Sequence, residues 1–172
     1  MRIALDLGHG IGVDKGATGI IQEEEVINGV GAMVYKKLKE YGHNVKLVRP
    51  KFGITTLLQS LTNRTIVSNS FNAELFLSIH ANIGGGTGSQ VFTKGGMKTP
   101  LSIKILDNLN NIGFKNEGVK DGSNLYVIKY TCAESILIRL CYIDNDEDVK
   151  LYKKIDNEKI ATAIVDAVGK AK

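Results

Sequence analysis

The stretch Arg2-Ile3-Ala4-Leu5-Asp6-Leu7-Gly8-His9-Gly10 sets the fold, because a short apolar run breaks at a glycine turn that carries a histidine. Such a run bounded by glycine reads as a buried strand entering a tight loop. The loop runs on to about Gln22, rich in glycine and weakly patterned. From Glu23 to Tyr41, Val26, Ile27, Val30, Met33, Val34, Leu38 and Tyr41 recur at spacings of three and four, which predicts an amphipathic helix. Acids at 23 to 25 suit its N-terminus, Lys36, Lys37 and Lys39 suit its C-terminus, and Gly42 stops it. Val45–Val48 then reads as a second strand, completing a strand–helix–strand unit.

The same alternation continues. A helix is expected over about Thr55 to Phe71, with Leu57, Leu58, Leu61 and Ile66 in its buried stripe, followed by a strand over Glu74–Ile79 that ends at His80. Ser89–Thr93 reads as a short edge strand, and Thr99–Ile112 has helical spacing. Asn124–Tyr130 and Ser135–Ile143 read as further strands, and Ile160–Val168 lies in a closing helix. Strands alternating with helices predict an α/β fold, a three-layer single domain with a mostly parallel twisted sheet flanked by helices.

Composition bounds the function. At 172 residues with 43% apolar and 23% charged residues, the chain fits one globular domain and excludes disordered, collagenous and disulfide-framework classes. The net charge of +4 is mild and its bases are scattered, which gives no support to a nucleic-acid partner. No apolar run reaches the roughly 20 residues of a membrane span, so no membrane insertion is expected, and the N-terminus is too short before its glycine turn for a secretory signal. Cys132 and Cys141 lack CxxC spacing and read as thiols.

Two of the three histidines, His9 and His80, directly follow apolar strands, and so fall at the carboxyl edge of a parallel sheet, where ligand sites form. Each alone is an ordinary hydrogen-bonded loop residue. As a pair, with Glu23-Glu24-Glu25 between them, they point to metal, since hydrolytic zinc takes three ligands of the His/His/carboxylate kind and keeps a position for water. The three acids also serve as plain complement to the helix dipole. His43, in a helix-to-strand turn, reads as a surface residue. The first loop matches neither GxxxxGK[ST] nor GxGxxG, which speaks against a nucleotide site, and no GxSxG nucleophile elbow is present. Arg139 interrupts the apolar run from Ser135 to Ile143. A buried unpaired charge is costly, so Arg139 either pairs with a carboxylate at an edge or points into the cleft of His9 and His80.

Taken together, these residues resemble the zinc-dependent N-acetylmuramoyl-L-alanine amidases, especially the catalytic domains of endolysins from phages of clostridia. The likeness runs along essentially the whole chain. It is carried by Asp6 to Gly10, Gly16-Ala17, Glu24 with Asn28, Gly42 to Val45, Arg64 with Asn69, Ser78 to Asn82, and Ile136-Leu137-Ile138 through Asp144 to Asp148. The resemblance implies zinc held by His9, Glu24 and His80. Glu24 is preferred to its neighbours because the family's ligand precedes its asparagine by four residues, as Glu24 precedes Asn28. It implies hydrolysis of the amide between N-acetylmuramic acid and L-alanine in the peptidoglycan of a Gram-positive cell wall. It also implies synthesis in a host cytoplasm without a signal peptide, and passage to the wall through a membrane lesion made by another phage protein. Residues 1–172 are then expected to be an amidase catalytic domain without a wall-binding domain. The sequence departs from the family at Arg139, which stands where the family has a proton-handling glutamate. Arginine stays protonated at any accessible pH, so the expectation is weakened zinc binding or slow hydrolysis. The alternative is a non-catalytic peptidoglycan-binding module on the same fold.

Overall fold

The computed structural model describes residues 1–171. Among these, six strands form one sheet in the order β2-β1-β3-β6-β4-β5: β1 (Arg2–Leu7), β2 (Asn44–Leu47), β3 (Leu75–Asn82), β4 (Ser89–Thr93), β5 (Asn116–Asp121) and β6 (Glu134–Tyr142). β2, β1, β3 and β6 run parallel, as the strand–helix alternation predicts; β4 lies antiparallel to β6 and parallel to β5. The helices are α1 (Glu23–Glu40), α2 (Leu57–Ser70), α3 (Pro100–Asn111), α4 (Tyr126–Tyr130), α5 (Asp146–Lys154) and α6 (Asn157–Val168). The result is a single three-layer α/β domain. No described helix is long and apolar enough to cross a membrane.

Alternation along the strands divides the core. Ile3, Leu5, Leu77, Ile79, Ile136 and Ile138 face the larger layer, where they pack with Val26, Val30 and Val34 of α1, Ile105 and Leu109 of α3, and Ile160 and Ile164 of α6. Ala4, Phe76 and Leu137 face the other way, onto Val127 and Ile128 of α4 and the partly buried Leu61 and Val67 of α2. Strands buried on both faces are read easily from sequence, and β1, β3 and β6 fall where expected within a few residues.

Four expectations are corrected. Asn124–Tyr130 is not a strand: Tyr126–Tyr130 forms one helical turn, closed by Lys129 N–H donating to the Leu125 carbonyl (2.9 Å). In that turn the adjacent Val127 and Ile128 are both buried, and Tyr126 meets Tyr130 at 4.5 Å between ring centroids. β4 is internal, because β5 covers its free edge. β5 itself (NEGVKD) is a polar edge strand with little apolar signal. His43 is buried rather than at the surface, its Nε2 lying 2.7 Å from the Gly169 carbonyl beyond α6.

The fourth correction concerns α2. Leu57, Leu58 and Ile66 are each more than half exposed, while Ser60, Arg64, Thr65 and Ser68 are buried. The reason lies beneath the helix. Asp6 and Asp14 are almost completely buried, and Arg64 donates to Asp6 Oδ1 and, at 3.1 Å, to Asp14 Oδ2. Ser78 Oγ donates to Asp6 (2.7 Å) and Ser60 Oγ to Asp14 (2.6 Å). A buried carboxylate without a partner costs several kcal/mol, and two of them lie beneath the helix, so it turns its polar stripe inward. Cys132 (exposed) and Cys141 (buried) are both free thiols.

Two substitutions separate the buried polar stripe of α2 from its apolar one. Arg64→Ala strands two buried carboxylates and should lower unfolding free energy by about 3–5 kcal/mol in a denaturant titration. Leu58→Ser should cost within about 0.5 kcal/mol, as for an exposed site. The reverse ranking would mean that the helix packs through its leucines.

Candidate metal centre

β1 ends at Leu7, and the next two residues form the first wall of the site. His9 adopts a left-handed backbone conformation (φ 51°), unusual for a residue with a side chain. Two arginines hold it there. Arg49 donates to the carbonyls of Leu7 (2.7 Å) and Gly8 (2.8 Å), while Arg64 donates to those of Leu7 (2.8 Å) and His9 (3.0 Å). At Gly8 a Cβ would overlap the imidazole of His80, so glycine is required for the two histidines to approach. Their rings lie edge to face, 4.8 Å between centroids.

His9 Nδ1 and Asp14 Oδ1 are 2.8 Å apart. The carboxylate accepts, so Nδ1 carries the proton and Nε2 is left for other use. Asp14 is held well below the usual carboxylate range: burial opposes its charge, but hydrogen bonds from His9 and Ser60 and the Arg64 guanidinium prevail. Burial likewise opposes a charged His9, yet its hydrogen bond to Asp14 and the charges of Glu23 and Asp14 raise its pKa.

The third member comes from the first turn of α1. Glu23 is only 5% exposed and reaches both rings: Oε1 is 3.1 Å from His80 Nδ1, and Oε2 is 3.5 Å from His9 Nε2. The same carboxylate accepts from the backbone N–H of Ala81 (3.1 Å) and of Ala17 (3.0 Å). Burial works against its charge, but the hydrogen bonds and the adjacent imidazoles hold its pKa at about 2.

Glu24, the glutamate that the resemblance assigns to the metal, lies outside this cluster, and Glu23 occupies the place between the two rings. Glu24 Oε1 accepts from the Gly16 N–H (2.7 Å) and braces the loop from outside the cluster, and Asn28 accepts from Arg49 Nη1 at the rim (2.7 Å). Helix geometry explains why the two glutamates differ. Glu23 stands three residues before Val26, four before Ile27 and seven before Val30, on the buried face of α1, whereas Glu24 is a third of a turn away. The apolar stripe thus puts Glu23 on the buried face, and the Asn28 spacing selects Glu24. Asp14 and Arg49 also escaped sequence reasoning, lying in weakly patterned segments.

Arg139 sits opposite His80 on β3 and opposite Gln90 on β4. It lines a cavity of about 420 Å³ together with His9, Glu23 and His80. Its Nη1 donates to Asn82 Oδ1 (3.2 Å), and its guanidinium lies 4.8 Å from the centroid of the Phe92 ring. Of the two positions open to it from sequence, the structure places it in the cleft.

His9, Glu23 and His80 each offer one donor atom, all within 4.8 Å of one another. Donor atoms on tetrahedral zinc stand about 3.3 Å apart at ordinary bond lengths; His80 Nδ1 lies 3.1 Å from Glu23 Oε1 and His9 Nε2 3.5 Å from Glu23 Oε2, so each imidazole is near that distance from one oxygen of the carboxylate. The donor set, and the carboxylate fixing the far nitrogen of His9, both fit a divalent ion.

An α/β sheet that gathers two histidines and a glutamate at the carboxyl ends of its parallel strands brings together groups that could hold a divalent ion. The chain belongs to the N-acetylmuramoyl-L-alanine amidase family Amidase_3, whose profile matches residues 3–170. The catalytic domain of the CD27L endolysin targeting Clostridia difficile superposes with a TM-score of 0.87 at 27% identity, over 98% of this chain and 96% of that one. N-acetylmuramoyl-L-alanine amidase CwlM of Bacillus licheniformis is 32% identical over 89% of this chain and 61% of its own length. The uncharacterized protein CPE1502 of Clostridium perfringens is 34% identical over 98% of this chain. The chain spans about half the length of CPE1502, and of a second, 38.4 kDa relative from that species.

Equilibrium dialysis against zinc with a competing chelator distinguishes the two glutamates. Glu23→Ala should lower zinc affinity by more than about 100-fold and Asp14→Asn by about 10- to 100-fold, with Glu24→Ala close to the parent. Loss of zinc by Glu24→Ala and not Glu23→Ala would restore the spacing-based choice.

Proposed function

We propose that the chain is a zinc-dependent peptidoglycan amidase domain, with His9, Glu23 and His80 as the ligands, acting at a Gram-positive cell wall on the amide between N-acetylmuramic acid and L-alanine. The observation that carries this reading is the His9–Glu23–His80 cluster at the carboxyl edge of an amidase-family fold. Zinc in such a set supplies a Lewis acid for the scissile carbonyl and lowers the pKa of water to about 7. The protein's own part is positional. Asp14 keeps the proton on His9 Nδ1, Arg49 and Arg64 fix the backbone that presents the ring, and Glu23 is kept ionised by the two imidazoles.

Proton handling is where this chain falls short of its relatives. The resemblance places a glutamate where Arg139 stands, and a guanidinium neither accepts a proton from attacking water nor returns one to the leaving amine. General acid–base groups contribute about 10²- to 10⁴-fold, so hydrolysis by this chain is slow by about that factor. The cleft keeps its shape and its donor set. Arg139 also favours a second reading, a wall-binding module that holds peptidoglycan without cutting it.

Purified clostridial cell walls separate the readings. Slow turbidity loss that needs zinc is expected from the parent, rising about 100-fold or more in Arg139→Glu. Co-sedimentation with walls, and no turbidity loss from either form, would favour the binding module. Equal rates for the two forms would remove the impairment.

A further inference from the structure

We propose that Arg139 makes the cleft a carboxylate receptor, in which a peptide carboxylate sits between its guanidinium and the His9–Glu23–His80 cluster. The proposal deepens the peptidoglycan reading and rests on it, since it names which part of the wall the cleft holds.

Arg139 is anchored as a binding residue is. Its planar group lies against Phe92, and Asn82 fixes Nη1, the one hydrogen bond it makes among the described residues. Most of its five donors are left uncommitted. No carboxylate among the described residues lies within 4 Å of it, whereas Arg64 is paired with Asp6 and Asp14, Glu23 with His9 and His80, and Arg49 is occupied by two carbonyls and Asn28. An unpaired guanidinium in a partly enclosed cavity is a standing demand for an anion, and its fork matches a planar carboxylate in two parallel hydrogen bonds.

The neighbouring cluster sharpens the demand. Arg139 and His80 are register partners on adjacent strands, about 4.8 Å apart, and their side chains emerge on the same face. Without a metal, Glu23 balances Arg139 and the cleft is near neutral. With a divalent cation bound, the charges add to a net excess of positive charge, which an anion between them relieves. Zinc and carboxylate should therefore bind cooperatively, each strengthening the other by the same factor. A cavity of about 420 Å³ admits a short peptide end rather than a bare ion alone. The stem peptide of peptidoglycan carries such groups, whereas a neutral glycan or an amidated peptide does not.

Calorimetric titration with N-acetyl-L-alanyl-D-glutamate and with its diamide, each with and without zinc, tests this. The acid should bind the parent protein at least tenfold more tightly than the diamide, a difference of about 1.4 kcal/mol, and more tightly still with zinc. In Arg139→Gln the preference should fall below twofold. Arg139→Lys keeps the charge without the fork and should retain a few-fold preference, which serves if the glutamine form does not fold. Equal binding of acid and diamide by the parent, or an undiminished preference in both variants, overturns the receptor. So does displacement of the acid by an equal concentration of inorganic phosphate, which would mean a site for anions in general. Co-sedimentation with purified walls separates the two levels. Walls that sediment while acid and diamide bind alike overturn the receptor alone; walls that do not sediment, with neither peptide binding, overturn the peptidoglycan reading with it.

Discussion

The buried guanidinium of Arg64 is the constraint on which the rest of the architecture hangs. It joins Asp6 of β1 and Asp14 of the first loop, both almost without water, to the carbonyls of Leu7 and His9. Breaking such a network at one member leaves a charge that nothing else compensates, so its parts are held in one arrangement. Secondary structure follows from it locally. α2 lies on the sheet through Ser60 and Arg64, leaving Leu57, Leu58 and Ile66 toward solvent. The loop after β1 is pinned at three successive carbonyls, by Arg64 from one side and Arg49 from the other.

The same network reaches the chemistry through one step. Asp14 is shared between Arg64, Ser60 and His9, so the carboxylate that completes the buried charge balance also sets the proton on His9 Nδ1. Fold stability and the presentation of Nε2 are thus two consequences of one set of hydrogen bonds. Glu23 plays the matching part on the other side. Its two oxygens meet both imidazoles and the amides of Ala17 and Ala81, tying the start of α1 to the first loop and to the end of β3. Were a divalent ion bound there, it would meet side chains already held in place, with little freedom left to lose.

What was legible in the sequence followed from how each residue is solvated. β1, β3 and β6 are buried on both faces and read as continuous apolar runs, while α1 shows a clean 3.6-residue stripe; all four fall where expected within a few residues. His9 and His80 were legible because each stands where an apolar strand run gives way to polar residues, which lies toward the carboxyl edge of the sheet: His9 two residues beyond β1, His80 near the end of β3. α2 misled because the rule that leucines go inside fails when a buried carboxylate pair must be met. α4 misled because Leu125-Tyr126-Val127-Ile128 has strand-like composition, and tertiary packing against Phe76 and Leu137 decides its conformation instead. β5 was silent because an edge strand is built to be polar. The shift from Glu24 to Glu23 is of a different kind. There the periodic pattern and a spacing borrowed from the family differ by one residue: the pattern puts Glu23 on the buried face beside the histidines, and the spacing selects Glu24.

Arg139 is the residue whose place follows from neither rule. In a strand that otherwise faces apolar layers, it survives by lying in the open part of the cleft, with Phe92 against its plane and Asn82 on one nitrogen. That arrangement solvates the guanidinium only in part, so the cleft is polarised even before any metal enters. A glutamate in its place would face Glu23 and raise the need for a cation; an arginine lowers that need and creates one for an anion. On the proposed reading, that one charge suits the cleft to holding a negatively charged ligand rather than to carrying protons.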